Sequence, residues 1–377
     1  MTSSVNLLDL AAAALSSAIV AADHVKAMSN PDEAQDKNVR LKKDGTFVTD
    51  ADFAAQGIIV QSLRSVSEDV RLVGEESEEE MSEQMIVGLE EKSLSMFRLA
   101  QKEILTRYHN HSDNNDQPLP LAQIVKNSID QTDTTIPKNT QNERNSSNPD
   151  LVKFEECQVD PKRVSIFIDP LDGTKAYANG EYETVSILIG IILDQIPCFG
   201  VICKPFGYSA QTSILDTGCV AFYGGTMLGA AYTAGGSMFK KNIDTMNGEL
   251  PRAVISSSKA KGVVQEFVNH LGSKGMIHPE PLMISGAGEK SLRILLRDEN
   301  EGLWFYPKSG TSLWDVAASD ALLRATGGRL TDKNGKDMDY SKSRMEARNE
   351  NGVVACYNRN LHAECIRLFL DGSWTET

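Results

Sequence analysis

The 377-residue chain lacks several features that would place it in common protein classes. Its 38 Lys and Arg residues are outnumbered by 52 Asp and Glu residues, which gives a formal net charge of -14. Nucleic acids and anionic membranes require clustered basic residues, so we expect neither as a partner. No Cys-x-x-Cys pair occurs among the six cysteines, and a chain of this size needs no disulfide framework. We therefore expect reduced thiols and a cytoplasmic protein.

Long uninterrupted apolar runs are also scarce. The stretch from Leu7 to Val20 is rich in alanine, but it lacks a basic start and is interrupted by Asp9. No window approaches the roughly 18 uncharged apolar residues that a membrane-spanning helix requires. We expect an amphipathic first helix and no association with a membrane. The G-x-S-x-G motif of serine hydrolases is absent as well, so a hydrolytic reaction would use water as the nucleophile.

The most informative segment is the stretch from Ile168 to Thr174. It places Asp169 and Asp172 three residues apart after a short apolar run, which we predict to be a strand that ends in a turn at Pro170 and Gly173. Both carboxylates would then point into one cavity. Hard oxygen ligands on a tight turn suit Mg²⁺, which usually keeps several waters for a phosphate-bearing substrate. A solvated Asp-Pro turn explains the segment equally well when it is taken alone.

Three further segments offer carboxylates. Glu75 follows another short apolar stretch, Asp315 lies at the start of a predicted helix, and Asp52 lies in the first turn of a second helix. Asp52 and Asp315 could instead cap their helices or respond to the helix dipole. Oxygen ligands therefore come from several separate parts of the chain.

Together, these segments resemble the lithium-sensitive, magnesium-dependent phosphomonoesterase superfamily, which includes inositol monophosphatases, inositol polyphosphate 1-phosphatases, fructose bisphosphatases and bisphosphate nucleotidases. The four segments occur in the family's order and span roughly Phe47 to Asp332. The resemblance implies an α+β fold, the layered αβαβα sugar-phosphatase fold, with an antiparallel-sheet lobe and a mixed-sheet lobe. We expect the first lobe to cover residues 1–215, with a polar insertion at about 80–160, and the second lobe to cover residues 216–377.

The resemblance also implies roles for particular residues. One Mg²⁺ would be held by Glu75, Asp169 and the carbonyl of Leu171, and a second by Asp169, Asp172 and Asp315. A third, weaker ion and inhibition by Li⁺ are implied as well. Asp52 and Thr174 would orient the attacking water, and the backbone amides of Gly173 and Thr174 would donate to the phosphate.

Within the superfamily, the chain is most similar to the 3′(2′),5′-bisphosphate nucleotidases, which convert adenosine 3′,5′-bisphosphate to AMP. The glycine-rich segment Ser285 to Lys290 contributes to this similarity. Candidate contacts to the nucleotide or to its remaining phosphate are Ser257, Ser258, Lys259 and Lys290. Lys259 stands where nucleotidases commonly have histidine, and a lysine can meet a phosphate only as a point charge.

Inositol phosphates are the alternative substrates. Residues Asp130 to Pro137 resemble a stretch of inositol polyphosphate 1-phosphatases, and the length of the polar insertion favours the same group. Inositol monophosphatase activity also stays open. In each case the expected partner is a small phosphorylated molecule, and we expect a monomer.

Overall fold

A computed structural model describes residues 4–29, 39–42, 45–77, 90–113, 157–208, 219–232, 249–256, 260–372 and 374 of the chain. Within these residues there are eight α-helices. They are α1 (Leu7–Met28), α2 (Asp50–Val66), α3 (Glu90–Asp113), α4 (Thr174–Asn179), α5 (Val263–Ser273), α6 (Ala287–Leu296), α7 (Leu313–Ala325) and α8 (Arg359–Asp371).

The strands in the described part of the chain form two main sheets and three short two-stranded pairs. The short pairs are β1 (Val5–Asn6) with β5 (Gln158–Val159), β2 (Arg40–Leu41) with β3 (Phe47–Val48), and β14 (Thr311–Ser312) with β16 (Arg348–Asn349). The second pair is a hairpin that comes directly before α2. In the third pair, β14 comes directly before α7 and β16 follows that helix in the chain.

The first sheet has six strands in the order β10-β9-β8-β7-β6-β4. They are β4 (Arg71–Gly74), β6 (Val164–Asp172), β7 (Ser186–Leu193), β8 (Ile196–Lys204), β9 (Val220–Gly225) and β10 (Gly229–Tyr232). Neighbours run antiparallel except β4 and β6, which are parallel. Strand β7 is buried along its whole length, because alternate side chains pack into different layers. Ile187 and Ile189 face the helices α1 and α2, whereas Leu188 faces α7.

The second sheet has five strands in the order β12-β11-β13-β17-β15. They are β11 (Arg252–Ile255), β12 (Leu282–Met283), β13 (Glu301–Tyr306), β15 (Arg329–Thr331) and β17 (Val353–Cys356). This sheet mixes parallel and antiparallel pairs. Val254 and Trp304 pack on the side of α6 and α7, whereas Phe305 packs with Phe267 of α5 on the opposite side.

The layers therefore follow the order α1–α3, first sheet, α6 and α7, second sheet, α5 and α8. This arrangement confirms the predicted layered αβαβα fold with a mostly antiparallel sheet and a mixed sheet. Strands β9 and β10 extend the first sheet to residue 232, beyond the predicted lobe boundary at residue 215. The division of the chain into two lobes stays a prediction. Most of the predicted polar insertion lies outside the described residues.

Helix α1 differs from the amphipathic helix that we expected. Fifteen of its residues are buried, on all sides of the helix, since it packs against α2, α3 and the first sheet. By length and composition alone it could cross a membrane, contrary to our expectation from the sequence. However, 78% of its most apolar window is buried inside the fold. Its apolar composition therefore serves the protein core.

Candidate active site

Strand β6 brings its two acidic residues to one side of the first sheet. Residues three apart in a regular strand face opposite sides. Here the register shifts between Asp169, opposite Leu188, and Asp172, opposite Ser186, so that three steps on β6 match two on β7. This one-residue bulge turns both carboxylates the same way. The predicted turn at Pro170 was wrong in this respect, since the strand continues to Asp172 before Gly173 ends it. Pro170 lies within the bulge, where its missing N–H costs no ladder hydrogen bond.

The four predicted acids interact with one another although they come from distant segments. Glu75 follows β4 directly, and its backbone N–H donates to the carbonyl of Ile168 at 3.0 Å, one residue before Asp169. Asp315 lies in the first turn of α7, and its carboxyl group interacts electrostatically with that of Asp169. Burial raises the pKa of Asp169 well above its usual range, and repulsion from Glu75, Asp172 and Asp315 adds to this effect.

This cluster carries more negative charge than its protein surroundings neutralise. Burial, followed by repulsion from Asp172 and Glu75, raises the pKa of Asp315 to about 7. Within the described part of the chain, no Lys or Arg forms an ion pair with Asp169, Asp172 or Asp315. Buried charges are normally paired or coordinate metals. The donor set of hard carboxylate oxygens fits a divalent cation such as Mg²⁺.

In this structure the four carboxylates are not arranged as a complete coordination shell for a metal ion. Among the described residues, no group of three or more His, Cys, Asp or Glu side chains is arranged to hold a metal ion as it stands. Protein donors occupy several of the oxygens instead. Asp169 Oδ1 accepts from the N–H of Leu171 at 3.0 Å, and Asp315 Oδ2 accepts from the N–H of Ser312 at 2.5 Å. The metal-ligand roles therefore stay predictions that the convergence of the four acids supports.

The first turn of α6 holds Asp172 in place. The backbone N–H groups of Ala287 and Gly288 donate to Oδ1 and Oδ2 at 3.2 and 2.7 Å, and the Ser186 hydroxyl donates to Oδ2 at 3.1 Å. A Cβ atom at Gly288 would lie only 2.2 Å from Ser186 Oγ. Glycine at this position therefore lets α6 approach the carboxylate closely.

Asp52 and Thr174, which we predicted to orient the attacking water, are hydrogen bonded to each other, and their role with water stays a prediction. The Thr174 hydroxyl donates to Asp52 Oδ1 at 2.9 Å and also lies 3.0 Å from the carbonyl of Leu171. The other carboxylate oxygen of Asp52 accepts from the N–H and the hydroxyl of Thr49, the cap of α2. Asp52 is fully buried, and this burial raises its pKa to about 6 against the effect of these hydrogen bonds. With this pKa, Asp52 is mainly ionised at neutral pH, and its carboxylate accepts the hydrogen bond that the Thr174 hydroxyl donates.

Sequence reasoning missed two charged residues beside this pair. The Lys42 ammonium bridges Glu75 Oε1 at 2.8 Å and Glu76 Oε1 at 2.5 Å. Burial acts to lower the pKa of Lys42, but the two carboxylates outweigh burial and raise it overall. Burial, with repulsion from Glu75, raises the pKa of Glu76 to about 7. No motif singled out Lys42, because its partners lie more than 30 positions along the chain.

The predicted substrate contacts are only partly described. Ser257, Ser258 and Lys259 lie outside the described residues, as does the stretch 130–137. Lys290 is buried, its ammonium donates to the carbonyl of Gly286 at 2.7 Å, and it lies 5.2 Å from the centre of the Trp304 ring. Gly173 adopts a left-handed conformation, with φ at 89°, as the cap of α4. Contacts of Gly173, Thr174 and Lys290 with a substrate stay predictions.

The thiols take no part in this site. All six cysteines are free, and five of them are buried. The spacing from Cys157 to Arg163 matches the C-x5-R pattern of covalent phosphatases. In this structure Cys157 is buried in the first core and Arg163 pairs with Asp194 at the surface. The pair therefore does not form a phosphate-binding loop.

Comparison with known proteins agrees with this fold. The Inositol monophosphatase family matches residues 95–370. CysQ from Bacteroides thetaiotaomicron, a bacterial member of that family, has a similar structure, with a TM-score of 0.54 and 16% identity over 93% of this chain and 97% of its own. The suhB protein from Bartonella henselae aligns with a TM-score of 0.55 and 15% identity, covering 96% of this chain and 98% of its own. The structural likeness shows the fold alone.

Sequence relatives add a finer similarity. The chain is 27% identical to the 3′(2′),5′-bisphosphate nucleotidase 1 of Dictyostelium discoideum over 359 residues, which cover 94% of each protein. It is 28% identical to the Golgi-resident adenosine 3′,5′-bisphosphate 3′-phosphatase of Mus musculus over 57% of this chain and 53% of that protein. Inositol monophosphatase 3 of Danio rerio is 30% identical over 49% of this chain and 48% of its own length.

The fold and the family match define a class of layered α+β phosphatases. The chain belongs to the inositol monophosphatase family, and it is a phosphatase.

Proposed function

We propose that this phosphatase removes the 3′-phosphate of adenosine 3′,5′-bisphosphate, with Mg²⁺ as cofactor, to give AMP and inorganic phosphate. The main support is the convergence of Asp169, Asp172, Asp315 and Glu75 beside the Asp52–Thr174 pair. The substrate assignment draws on the Dictyostelium nucleotidase, which aligns along nearly its whole length.

Oxygen atoms of the acid cluster would hold the metal ions. Glu75, Asp169 and the Leu171 carbonyl would hold one Mg²⁺, and Asp169, Asp172 and Asp315 would hold another, with a third, weaker ion at Glu75. Bound Mg²⁺ lowers the pKa of a coordinated water and offsets negative charge on a leaving oxygen. Because the chain carries a net charge of -14, the attraction of an anionic substrate depends on such ions and on local cations.

Thr174 and Asp52 would handle the proton of the attacking water. The Thr174 hydroxyl donates a hydrogen bond to Asp52, so the lone pairs of its oxygen are free to accept a hydrogen bond from water. Asp52, with a pKa of about 6, is close to the value that suits a base at neutral pH. The carboxylate would thus draw the proton away through the hydroxyl.

Phosphate release from a panel of substrates tests this proposal. The panel contains adenosine 3′,5′-bisphosphate, its sulfated form, inositol 1,4-bisphosphate and inositol 1-phosphate, each with Mg²⁺, with EDTA, and with Mg²⁺ plus Li⁺. We expect Mg²⁺-dependent release from adenosine 3′,5′-bisphosphate that Li⁺ inhibits, and no release by Asp169→Asn. Release from the inositol compounds alone would contradict the nucleotide assignment.

Inositol monophosphate is the second candidate substrate, since the Danio rerio relative named inositol monophosphatase 3 has the higher identity over a shorter alignment. The same panel separates the two. The cytoplasmic location and the monomeric state stay predictions.

A further inference from the structure

The backbone around Glu75 is held by side chains from two distant elements. Arg344, in a short 3₁₀ turn near the end of the chain, donates from Nε to the carbonyl of Gly74 at 3.1 Å. Its Nη2 donates to the carbonyl of Glu75 at 2.6 Å, and Nε also lies 3.2 Å from that oxygen. A guanidinium group suits this task, because its planar fork can serve two carbonyls at once.

Gln56 holds the next residue from the opposite side. Its side-chain amide, buried in α2, donates from Nε2 to the carbonyl of Glu76 at 2.6 Å. Its Oε1 accepts from the N–H of Glu76 at 2.9 Å. The amide thus pairs with both backbone groups of Glu76, as a neighbouring strand would. Gly74 leaves room for it, since a Cβ atom there would lie 2.6 Å from Gln56 Oε1.

These contacts leave the backbone at Glu75 little freedom. Its N–H donates to the carbonyl of Ile168, its carbonyl accepts from Arg344, and the following residue is paired with Gln56. Lys42 in turn donates to the Glu75 carboxylate at 2.8 Å. The position from which the Glu75 side chain leaves the backbone is therefore fixed by Arg344 and Gln56 through backbone hydrogen bonds.

We propose that Arg344 and Gln56 are positioning residues that aim Glu75 at the metal centre. This inference rests on the proposed role of Glu75 as a metal ligand. Groups that orient metal ligands typically change metal affinity by roughly 10- to 100-fold when they are removed. The loss should therefore appear in the Mg²⁺ requirement more than in the turnover number at saturating Mg²⁺.

Arg71 provides a matched control. Like Arg344, it is half-buried. Arg71 lies in β4 and bonds to residues 340–342, whereas Arg344 lies just after those residues and bonds to the end of β4. Its guanidinium donates to the carbonyls of Tyr340, Ser341 and Lys342, while Nε donates to Ser165 Oγ. Arg71 therefore fastens residues 340–342 to β4, and its hydrogen bonds do not involve the backbone of Glu75.

The test compares Arg344→Gln, Arg344→Lys, Gln56→Met and Arg71→Gln in the full-length chain. Two quantities are measured: the Mg²⁺ concentration for half-maximal phosphate release, and the rise in Tm on titration with Mg²⁺. We expect Arg344→Gln and Gln56→Met to raise the Mg²⁺ requirement roughly tenfold or more, with kcat largely restored at saturating Mg²⁺. Arg344→Lys should be intermediate, because one ammonium cannot serve both carbonyls in the geometry of the guanidinium. Arg71→Gln should lower Tm but change the Mg²⁺ requirement less than twofold.

Equal Mg²⁺ requirements in Arg344→Gln and Arg71→Gln would overturn the inference, whatever their Tm values. A wild-type chain that releases no phosphate yet gains Tm with Mg²⁺ would contradict the proposed function alone, and the Tm titration would then decide the roles of Arg344 and Gln56. No effect of Mg²⁺ on the Tm of the wild-type chain would contradict both proposals.

Discussion

Two acidic residues serve their own helix and the candidate site at the same time. Sequence reasoning left open whether Asp52 and Asp315 cap helices or bind the site. In the structure Asp52 uses Oδ2 for Thr49 at the start of α2 and Oδ1 for Thr174. Asp315 accepts from the N–H of Ser312 at the start of α7 and interacts electrostatically with Asp169. The two alternatives were compatible, because a carboxylate has two oxygen atoms.

Because Asp52 is assigned to the attacking water and Asp169 to the metal ions, we expect different effects from their Asp→Asn substitutions. Asp52→Asn keeps an oxygen but cannot take up a proton, so we expect kcat to fall about 100-fold or more while the Mg²⁺ requirement stays within about twofold. Asp169→Asn should abolish both turnover and the Mg²⁺ response. Asp50→Asn, two residues before Asp52 on the same helix, is the control and should leave both kcat and the Mg²⁺ requirement unchanged. Comparable activity and Mg²⁺ affinity in the first two variants would refute the assigned roles.

His362 makes the stability of the protein depend on pH. The ring is buried, and its Nε2 lies 2.9 Å from Thr331 Oγ1. Burial, followed by repulsion from Arg329, lowers the pKa of His362 to about 4. The unfolded chain therefore binds more protons between pH 6.5 and 4, and stability falls as the pH decreases through this window. We expect a total loss of about 3 kcal/mol in the free energy of unfolding.

We expect His362→Gln to flatten the pH dependence of the free energy of unfolding between pH 7 and 5. Urea denaturation at several pH values measures this slope. His278→Gln, which removes a half-exposed imidazole, is the control. An unchanged slope in His362→Gln would rule out this histidine as the cause.

At the scale of secondary structure, the placement of α6 depends on a buried ion pair. Lys204, at the end of β8, donates from Nζ to Glu289 Oε2 at 2.8 Å and to the carbonyl of Glu183 at 2.6 Å. Lys204 is only 1% exposed. Glu289 lies one residue after Gly288, whose N–H holds Asp172. The ion pair therefore fixes the helix turn that orients a predicted metal ligand.

A double-mutant cycle tests this ion pair. Among the described residues, Lys204→Met leaves Arg293 as the one cationic partner of the buried Glu289, so we expect a loss of about 3 kcal/mol in the free energy of unfolding. Glu289→Gln should cost a similar amount, and the double variant should cost less than the sum, because no unpaired charge remains. Urea denaturation of the four proteins measures the coupling. Additive losses would show that the pair does not act as a unit.

Most elements could be predicted from the sequence because their apolar patterns are strong. The strand predicted before Asp169 matches β6, and the helix predicted to start near Asp315 matches α7, which begins at Leu313. The prediction was wrong where pairing with a neighbouring strand overrides the local preference of a residue. Pro170 usually ends a strand, yet pairing with β7 carries β6 past it by means of a bulge. The burial of α1 on all sides also depends on neighbours that its own sequence does not specify.

At the scale of the whole molecule, the candidate site lies where several layers meet. Glu75 follows β4 and Asp169 lies in β6, two parallel strands of the first sheet. Asp172 accepts hydrogen bonds from the first turn of α6, and Asp315 lies in the first turn of α7. The two helices lie between the sheets. A site at this junction needs both sheets to be formed, so its acids can be brought together only by the complete fold.

The sequence by itself determined the type of chemistry, the order of the four acidic segments and most of the strands and helices. These properties follow from residue identity and local periodicity. The tertiary structure decided which carboxylates meet, how burial and repulsion raise the pKa values of Asp169 and Asp315, and which neighbours hold Glu75. Lys42, Gln56 and Arg344 act on residues 20 to 270 positions away. Contacts of this kind depend on chain topology, because the local sequence does not specify which distant residues lie close together in the folded protein.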